Sequence, residues 1–270
     1  LWNCVNDMTG NMPGMSDIST ITDFLNLMEE TGMAGGKIDF WPNESSLSTI
    51  AMEQATIRLA AQKKLLLNLH GIHKPSGWSV TYPNEVTREG IRGYEQVNYD
   101  EKTLGIKAAP YVYYTTQPFT RYLQGHADFT PHVRSAGEIA TLVFGDSPVN
   151  MISTDPADIL QSEAVEMIKS IPTTWDRTYV LPQSKIGDTT IFAREKDNIW
   201  YIGGVTDNSD KDIEIDFSEF LGAGEYRLEL WRDTEVMSSF GEGGHKVQDK
   251  MTIHADVKLP LHMIEHGGFV

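Results

Sequence analysis

The chain has 270 residues, and its 38 Asp and Glu against 22 Lys and Arg give a formal net charge of −16. Such a surface repels phosphates, whose neutralisation by Lys and Arg supplies most non-specific affinity for nucleic acids, so nucleic acid is excluded as the expected partner. No apolar run approaches the roughly 18 residues that a membrane span requires, and the single Cys4 excludes an intrachain disulfide.

The first third of the chain alternates helical and strand-like patterns. Apolar residues recur at helical spacing from Ile18 to Met28, and GGKIDF at 35–40 has the composition of a buried strand. A second helical stretch then leads into LLLNLHG at 65–71, another apolar strand with a polar end. The apolar stripe predicted for this second helix consists of Leu47, Ile50, Ile57 and Ala61.

The alternation continues towards the middle of the chain. Residues 111–123 are rich in β-forming types, 135–146 have a helical pattern, 149–154 resemble a strand, and 157–171 are helical again. Alternating strands and helices with polar strand ends are typical of an α/β barrel or an open parallel sheet.

The pattern changes at Thr173. Short alternating apolar and polar runs follow, separated by Gly, Asp and Asn, and they predict an antiparallel β-sandwich. We therefore expect two domains, at residues 1–172 and 173–270. The first holds about six strand candidates, whereas a closed barrel needs eight. Because the sequence opens abruptly with LWNCVND, we interpret it as a (β/α)8 TIM-type barrel without its first strands, whose N-terminal remainder lies outside this chain.

One candidate for chemistry stands at a strand end. Asp39 closes GGKIDF, and Lys37 lies two residues earlier on the same face. Catalytic side chains of barrels occupy this position, and a carboxylate near a cation stays ionised, as a covalent glycosidase nucleophile must. The Lys-x-Asp pattern by itself fits a capping Asp beside a solvated Lys equally well.

The segment 69–95 is unusually rich in groups that bind sugars. Trp78 can stack on a sugar face, His70 can donate to hydroxyls, and Glu89 and Glu95 offer carboxylates that bind a hard cation or exchange a proton. Each residue alone fits a long loop with buried aromatics. Together they indicate a site.

Several motifs in this region occur in a recognisable order. They are GGKIDF, NLHG, P-x-GW, TYPN, E-x-x-RG-x-E, PFTR, DFTP and IPTTWD. In this order, from about residue 30 to 180, they resemble glycoside hydrolase family 97. The resemblance implies an N-terminal β-sandwich, a catalytic (β/α)8 barrel, a C-terminal β-domain and a calcium ion in the active site.

The resemblance also implies roles for individual residues. Asp39 matches the nucleophile of retaining, α-galactosidase-like members, whereas inverting, α-glucosidase-like members place a base Glu where this chain has Gly71. Glu95 matches the general acid, and Glu89 with Glu95 matches carboxylates that hold Ca²⁺. The carboxyl groups of a retaining pair should lie about 5 to 5.5 Å apart. We assign Lys37, His70 and Trp78 to substrate binding.

The predicted function is that of a retaining exo-acting glycoside hydrolase that releases α-linked galactose from an oligosaccharide or other α-galactoside. The alternatives are an inverting α-glucosidase of the same family, disfavoured by Gly71, and a non-catalytic carbohydrate-binding fragment. The resemblance implies a periplasmic or secreted bacterial protein.

Two further patterns carry less weight. His262 to His266 spells H-x-x-E-H, a zinc-protease pattern, but its Pro and Gly neighbours favour a terminal strand. Asp128, in the DFTP segment, is a minor candidate for the site.

Overall fold

The computed structural model describes residues 2–5, 15–95, 111–207, 209–237 and 243–270. Contacts divide the chain into two compact units. The first consists of Leu1–Arg92, Gln124–Phe129 and Ser147–Val149, and the second of Gly93–Leu123, Thr130–Asp146 and Asn150–Val270. The domain boundary between residues 172 and 173 stays a prediction. No helix among the described residues is long and apolar enough to cross a membrane.

The first unit is built on a parallel sheet with the strand order β1-β2-β3-β4. The strands are β1 (Trp2–Cys4), β2 (Gly35–Asp39), β3 (Leu66–Leu69) and β4 (Glu85–Arg88). The helices that connect them are α1 (Ile18–Glu30), α2 (Leu47–Gln62) and the one-turn α3 (Trp78–Thr81). Ala127 pairs in parallel with Arg88 beyond β4. This arrangement fits part of a barrel, and its completion to eight strands is a proposal.

Helix α1 follows its sequence pattern closely. Asp17 accepts a hydrogen bond from the backbone N–H of Thr20, and the Thr20 hydroxyl returns to the cap, which satisfies two N–H groups that a helix start leaves open. The buried side chains of α1 are Ile21, Phe24, Leu25 and Met28. The helix stops before Gly32, whose φ of +69° suits a glycine.

Helix α2 buries a different face from the predicted stripe. Leu47 is 86% exposed, and of the four predicted residues only Ile57 is fully buried. The buried residues are Thr49, Glu53, Thr56, Ile57 and Ala60. The prediction is wrong because Glu53 is buried against a cation from another element. A prediction based on apolar residues alone does not identify a charged residue that is buried with its partner.

The second unit contains two antiparallel sheets. One has six strands in the order β10-β9-β12-β7-β6-β5, and the other pairs β11 with β8. The strands are β5 (Arg177–Val180), β6 (Thr189–Lys196), β7 (Ile199–Thr206), β8 (Lys211–Asp216), β9 (Glu225–Met237), β10 (Gly243–His254), β11 (Lys258–Met263) and β12 (Gly268–Phe269). The antiparallel strands predicted after Thr173 are confirmed. The zinc-protease pattern requires a helix, whereas His262 belongs to strand β11. The structure therefore excludes that interpretation.

The core of this β-domain collects apolar residues from both sheets. Ile191 of β6, Leu230 of β9 and Ile253 of β10 belong to the same buried cluster as Ile215 of β8 and Leu261 of β11. The period of two along each strand directs these side chains to one face.

Helices of the second unit are α4 (Val112–Thr116), α5 (Ala136–Phe144), α6 (Pro156–Gln161) and α7 (Val165–Ser170), with 3₁₀ turns at Gln117–Phe119, Arg121–Gln124 and Phe217–Glu219. The helix predicted at 135–146 is confirmed as α5, which is buried on all sides. It packs closely on β7, since a Cβ at Gly203 would lie 2.8 Å from the carbonyl oxygen of Ala140.

Two predictions for the middle of the chain are wrong, and a third is confirmed in part. The β-rich stretch 111–123 forms α4 and 3₁₀ turns, because burial of Tyr114 and Thr115 outweighs the strand propensity of aromatic and β-branched residues. Residues 149–154 form no strand, although Ser153 N–H donates to the carbonyl of Pro131 at 2.9 Å. The helix at 157–171 is two helices, separated where Ser162 adopts an extended conformation.

Candidate active site

Polar residues follow three neighbouring parallel strands at the same edge of the first unit's sheet. Asp39 ends β2, His70 follows β3, and Glu89 follows β4. The backbone fixes this register: His70 N–H donates to the carbonyl of Ile38 at 2.9 Å, and Glu89 N–H donates to that of Leu69 at 2.7 Å. Carboxyl ends of parallel strands are where α/β proteins place their sites, and the sequence prediction of such an edge rests on the same rule.

Both carboxylate oxygens of Asp39 are hydrogen-bonded. Its Oδ1 lies 3.2 Å from Nδ1 of His70 and accepts from the backbone N–H of Phe40 at 2.8 Å. Its Oδ2 accepts from the indole N–H of Trp2 in β1 at 3.1 Å. An ionised carboxylate only accepts hydrogen bonds, so Nδ1 of His70 carries the proton in this pair.

The surroundings favour the charged forms of this pair. Burial alone would raise the pKa of Asp39, but hydrogen bonds from His70, Trp2 and Phe40 and the charge of His70 lower it below its ordinary value. Burial would likewise lower the pKa of His70, yet the hydrogen bond to Asp39 and the charge of Glu89 raise it against the opposing charge of Lys37. Asp39 is therefore a carboxylate at neutral pH with both oxygens held in place.

A second ion pair lies beside the first. Lys37 Nζ and the side-chain amide of Asn68 both donate to Oδ2 of Asp128 at 2.8 Å. Asp128 is fully buried, and its Oδ2 lies 3.8 Å from Nε2 of His70. The His70 ring is thus flanked by the Asp39 and Asp128 carboxylates. Asp128, only a minor candidate in the sequence, is the partner that holds Lys37.

Glu89 and Gly71 are joined directly. Oε2 of Glu89 accepts from the backbone N–H of Gly71 at 2.7 Å and lies 3.6 Å from Nδ1 of His70. Gly71 has a φ of +54°, and a Cβ built on it would lie 2.7 Å from the Phe40 nitrogen and 3.0 Å from Oδ1 of Asp39. A side chain at position 71 would therefore enter the space beside the Asp39 carboxylate.

A buried charge network is centred on β4, the strand that precedes Glu89. The Arg88 guanidinium, 1% exposed, donates to the carboxylates of Glu85 and Glu53. Nε2 of His73 lies 2.6 Å from Oε2 of Glu53. Burial lowers the pKa of Arg88, but both glutamates raise it more, so the guanidinium remains charged. The network ties α2 to β4 directly before Glu89.

Trp78 and Glu95 are the other residues predicted for the site. Trp78 stacks on Tyr82 with ring centroids 5.4 Å apart, and the Arg58 guanidinium lies 5.6 Å from the Trp78 ring. Glu95 belongs to the second unit, so its distance from Asp39 and its shared role with Glu89 stay predictions. The roles of Lys37, His70 and Trp78 in substrate binding also stay predictions.

Sequence reasoning missed Trp2 and Asn68. Asn68 stands two residues before His70 in β3, and the alternation of side chains along a strand would have placed both on one face. Trp2 carries no comparable signal, because its role comes from the pairing of β1 with β2.

Comparison with known proteins identifies the family of this chain. The family model described as "Glycoside hydrolase 97" matches residues 12–91, and that described as "Glycosyl-hydrolase 97 C-terminal, oligomerisation" matches residues 174–270. The chain belongs to glycoside hydrolase family 97. It is 33% identical over 262 residues to a retaining alpha-galactosidase of Bacteroides thetaiotaomicron, an alignment that covers 89% of this chain and 38% of that relative.

Solved structures share the fold of this chain. A family 97 enzyme from Pseudoalteromonas sp. strain K8, in complex with acarbose, has a TM-score of 0.80 at 22% identity and is matched over 99% of this chain and 45% of its own. A beta-arabinopyranosidase has a TM-score of 0.80 at 20% identity, over 100% of this chain and 44% of its own. This family 97 chain thus spans less than half the length of the relatives it matches.

Proposed function

We propose that this family 97 chain carries the nucleophile of a retaining exo-α-galactosidase that works by double displacement with calcium in its active site. The observation that carries the proposal is the state of Asp39, a buried carboxylate at a strand end whose lowered pKa keeps it ionised. A covalent glycosidase needs such a group, because the anion attacks the anomeric carbon. The 33% identity with a retaining alpha-galactosidase supports the same reaction class.

In the proposed reaction, Asp39 attacks the anomeric carbon while Glu95 protonates the departing glycosidic oxygen. The bond to the leaving group breaks as a bond from Asp39 to the sugar forms. Glu95, now ionised, then removes a proton from water, which displaces Asp39 and releases the sugar with its original anomeric configuration.

The space around Gly71 favours retention over inversion. An inverting enzyme needs a second carboxylate that activates water on the face opposite the leaving group. At position 71 a side chain would begin within 3.0 Å of Oδ1 of Asp39. The Asp39 carboxylate therefore occupies the region that a base at position 71 would use, which disfavours the inverting α-glucosidase.

The residues around Asp39 have separate proposed tasks. His70 orients the carboxylate through its bond at 3.2 Å. Lys37 uses one N–H on Asp128 and retains further donors for sugar hydroxyls. Trp78 offers an aromatic face for a sugar ring, as its type predicts.

Calcium would be held in part by Glu89. Calcium takes 6–8 oxygen ligands, and the Glu89 carboxylate, fixed by Gly71, has the right chemistry. We propose that Glu95 supplies a second carboxylate and that other parts of the enzyme complete the set. When bound, calcium would position sugar hydroxyls and stabilise developing charge. The expected setting is the periplasm or the exterior of a bacterial cell, where oligosaccharides are met.

The stereochemistry of the released sugar tests the retaining reaction. Hydrolysis of an aryl α-galactoside by the enzyme that carries this chain, followed by NMR, should release the α-anomer first. Asp39→Gly should lose this activity, and azide should restore turnover of a substrate with a good leaving group as the β-galactosyl azide, because azide enters from the face that the carboxylate vacated.

Asp17→Gly is a matched control in the same unit, since it makes the same substitution at an exposed N-cap position, where glycine is also accepted. This variant should remain active. Release of the β-anomer first, or an Asp39→Gly variant that keeps its activity, would contradict the retaining mechanism. An L-arabinopyranoside assayed in parallel shows whether the enzyme prefers galactose or arabinopyranose, two sugars of related stereochemistry.

Removal of metal tests the calcium proposal. A chelator should abolish activity, and added Ca²⁺ should restore it, whereas Mg²⁺ should restore less because it demands a tighter octahedral shell. Glu89→Gln should weaken calcium binding in a titration with the metal alone. Full activity after metal loss is verified by elemental analysis would contradict the proposal.

A further inference from the structure

Asp128 extends the polar edge of the first unit's sheet by one more segment. Its N–H donates to the carbonyl of Arg88 at 2.9 Å, and the preceding Ala127 pairs in parallel with Arg88. Asp128 therefore lies beyond β4 at the edge that also carries Asp39 and His70. Its side chain is fully buried, and a buried carboxylate is costly unless cations or hydrogen-bond donors compensate it.

Two donors meet on one oxygen of the Asp128 carboxylate. Lys37 Nζ and the side-chain amide of Asn68 each donate to Oδ2 at 2.8 Å. Lys37 and Asn68 are paired residues of β2 and β3, so the register of the two strands brings both donors to the same place. A hydrogen bond between two ionised groups is among the stronger ones in proteins. The ammonium of Lys37 is therefore held at a defined point.

A second carboxylate lies within reach of the same ammonium. Asp39 stands two residues after Lys37 on one face of β2, and residues at this spacing are about 6.6 Å apart along a strand. Lysine carries its charge on a flexible four-carbon stem that can cover this distance. Among the described residues, however, Lys37 forms an ion pair with Asp128 and none with Asp39.

An ammonium bound to Asp39 would interfere with nucleophilic attack. Each carboxylate oxygen offers about two lone pairs. Oδ1 of Asp39 accepts from the Phe40 N–H at 2.8 Å and lies 3.2 Å from Nδ1 of His70. Among the described residues, Oδ2 accepts only from the Trp2 indole, at 3.1 Å. Oδ2 therefore keeps a lone pair that can attack a carbon, and a charged donor at this oxygen would occupy it.

We propose that Asp128 is a positioning residue that binds Lys37, keeps its ammonium away from the nucleophile Asp39 and directs its other N–H groups to a sugar hydroxyl. The inference rests on the proposed function, in which Asp39 attacks and Lys37 binds substrate. A lysine ammonium has three donors, and the bond to Asp128 uses one of them. Lys37 thereby contributes to substrate recognition instead of neutralising the nucleophile.

The test measures kcat/KM for an aryl α-galactoside and for its 2-, 3-, 4- and 6-deoxy derivatives, with the enzyme that carries this chain. We define the deoxy penalty as the ratio of kcat/KM for the parent to that for a derivative. A hydrogen bond to a charged group contributes about 10- to 100-fold, so wild type should show a penalty of this size at the hydroxyl that Lys37 binds. Lys37→Met should reduce the penalty at that position to within about twofold.

Asp128→Asn should reduce the same penalty to about threefold or less and leave the penalties at the other positions at their wild-type values. The variant keeps the size of the side chain but loses the charge that holds Lys37. Its kcat for the parent substrate should fall about 10-fold, because the released ammonium can bind Asp39. The double variant Lys37→Met/Asp128→Asn should recover part of that loss, since it has no ammonium to bind Asp39.

Glu85→Gln is the matched control. Like Asp128, Glu85 is a buried carboxylate of the first unit that binds a cation, but its partner is Arg88. Loss of its charge should destabilise the fold and leave every deoxy penalty unchanged. A merely structural role of Asp128 would give the same pattern, because a smaller amount of folded enzyme lowers the rates for the parent and for each derivative equally.

The outcomes separate this inference from the proposed function. If Lys37→Met removes one penalty while Asp128→Asn keeps it in full, or if Asp128→Asn lowers all penalties alike, the positioning role is wrong and the proposed function stands. If Lys37→Met keeps every penalty, the inference and the proposed role of Lys37 are both wrong. Initial release of the β-anomer by wild type overturns the proposed function and the inference with it.

A second variant covers the case in which Asp128→Asn does not fold. Asn68→Ala removes the other donor to Oδ2 of Asp128 and should lower the same deoxy penalty about threefold, because the carboxylate that holds Lys37 is then less well fixed. An unchanged penalty in the folded Asn68→Ala variant overturns the inference.

Discussion

Asp39 in the first unit and Asp233 in the second each accept three hydrogen bonds from N–H groups, yet their pKa values move in opposite directions. Asp39 accepts from His70, Trp2 and Phe40, and its pKa is lowered. Asp233 accepts from the backbone N–H groups of Ala136, Gly137 and Gly268 at 2.7 to 3.0 Å. Burial raises the pKa of Asp233 to about 6 in spite of these bonds.

The difference lies in the charges nearby. His70 adds a positive charge beside Asp39, whereas Glu138 adds a negative one near Asp233. Backbone amides are dipoles that offset part of the cost of burial, while a cationic partner favours ionisation more strongly. A buried aspartate held by side chains can thus be a nucleophile, and one held by the backbone joins α5 to β9 and β12.

The largest effect on activity should come from replacing each aspartate with asparagine in a separate variant. Asp39→Asn should lower kcat about 10⁴-fold or more, as loss of other covalent nucleophiles does, with little change in thermal stability. Asp233→Asn should do the reverse, lowering the melting temperature while the folded enzyme keeps its kcat. If both variants lose the same share of activity per folded molecule, the distinction between a catalytic Asp39 and a structural Asp233 is wrong.

Removal of Arg88 tests whether buried carboxylates of the first unit depend on side-chain partners. Arg88→Met keeps the volume but leaves Glu53 and Glu85 buried without their cation, and the free energy of unfolding should fall by about 3 to 5 kcal/mol. Urea unfolding measures it. The control Arg58→Met, on the exposed side of α2, should cost less than about 1 kcal/mol. Equal losses of unfolding free energy in the two variants would show that the charge of Arg88 is not needed to balance Glu53 and Glu85.

Truncation of Asp233 should cost less than loss of Arg88, because it leaves dipoles rather than charges unpaired. Asp233→Ala leaves three buried N–H groups without acceptors, and we expect a loss of about 2 to 3 kcal/mol in unfolding free energy. Hydrogen exchange of the Ala136, Gly137 and Gly268 amides should accelerate. Unchanged exchange at those amides would mean that other groups hold α5.

The smallest effect concerns pH. The folded pKa of Asp233, about 6, exceeds its unfolded value of 3.8, so the folded protein binds this proton more tightly. Its contribution to stability therefore falls as pH rises from about 4 to above 6, by about 1 kcal/mol between pH 5 and 7. The stability difference between wild type and Asp233→Asn should shrink or reverse accordingly. A difference independent of pH over this window would contradict the raised pKa.

Much of the first unit could be read from its sequence because the signals are local. The Asp17 cap, the apolar spacing of α1 and the polar residue at the end of β2 are each recognised from a short stretch of neighbouring positions. The same holds for the antiparallel strands of the β-domain, whose alternation is a period of two. The position of Asp39 at a strand end followed from the strand pattern, whereas Glu89 was singled out by the composition of its segment and by the family resemblance.

The partners of these residues were decided by the tertiary structure. Trp2 reaches Asp39 across 37 positions of sequence, and Lys37 reaches Asp128 across 91. Burial of Glu53 on α2 depends on Arg88, and the helix at Val112–Thr116 depends on the burial of Tyr114. Periodicity reports which side of an element is apolar, whereas the charge state of Asp39 is set by groups that only folding brings within 3.2 Å.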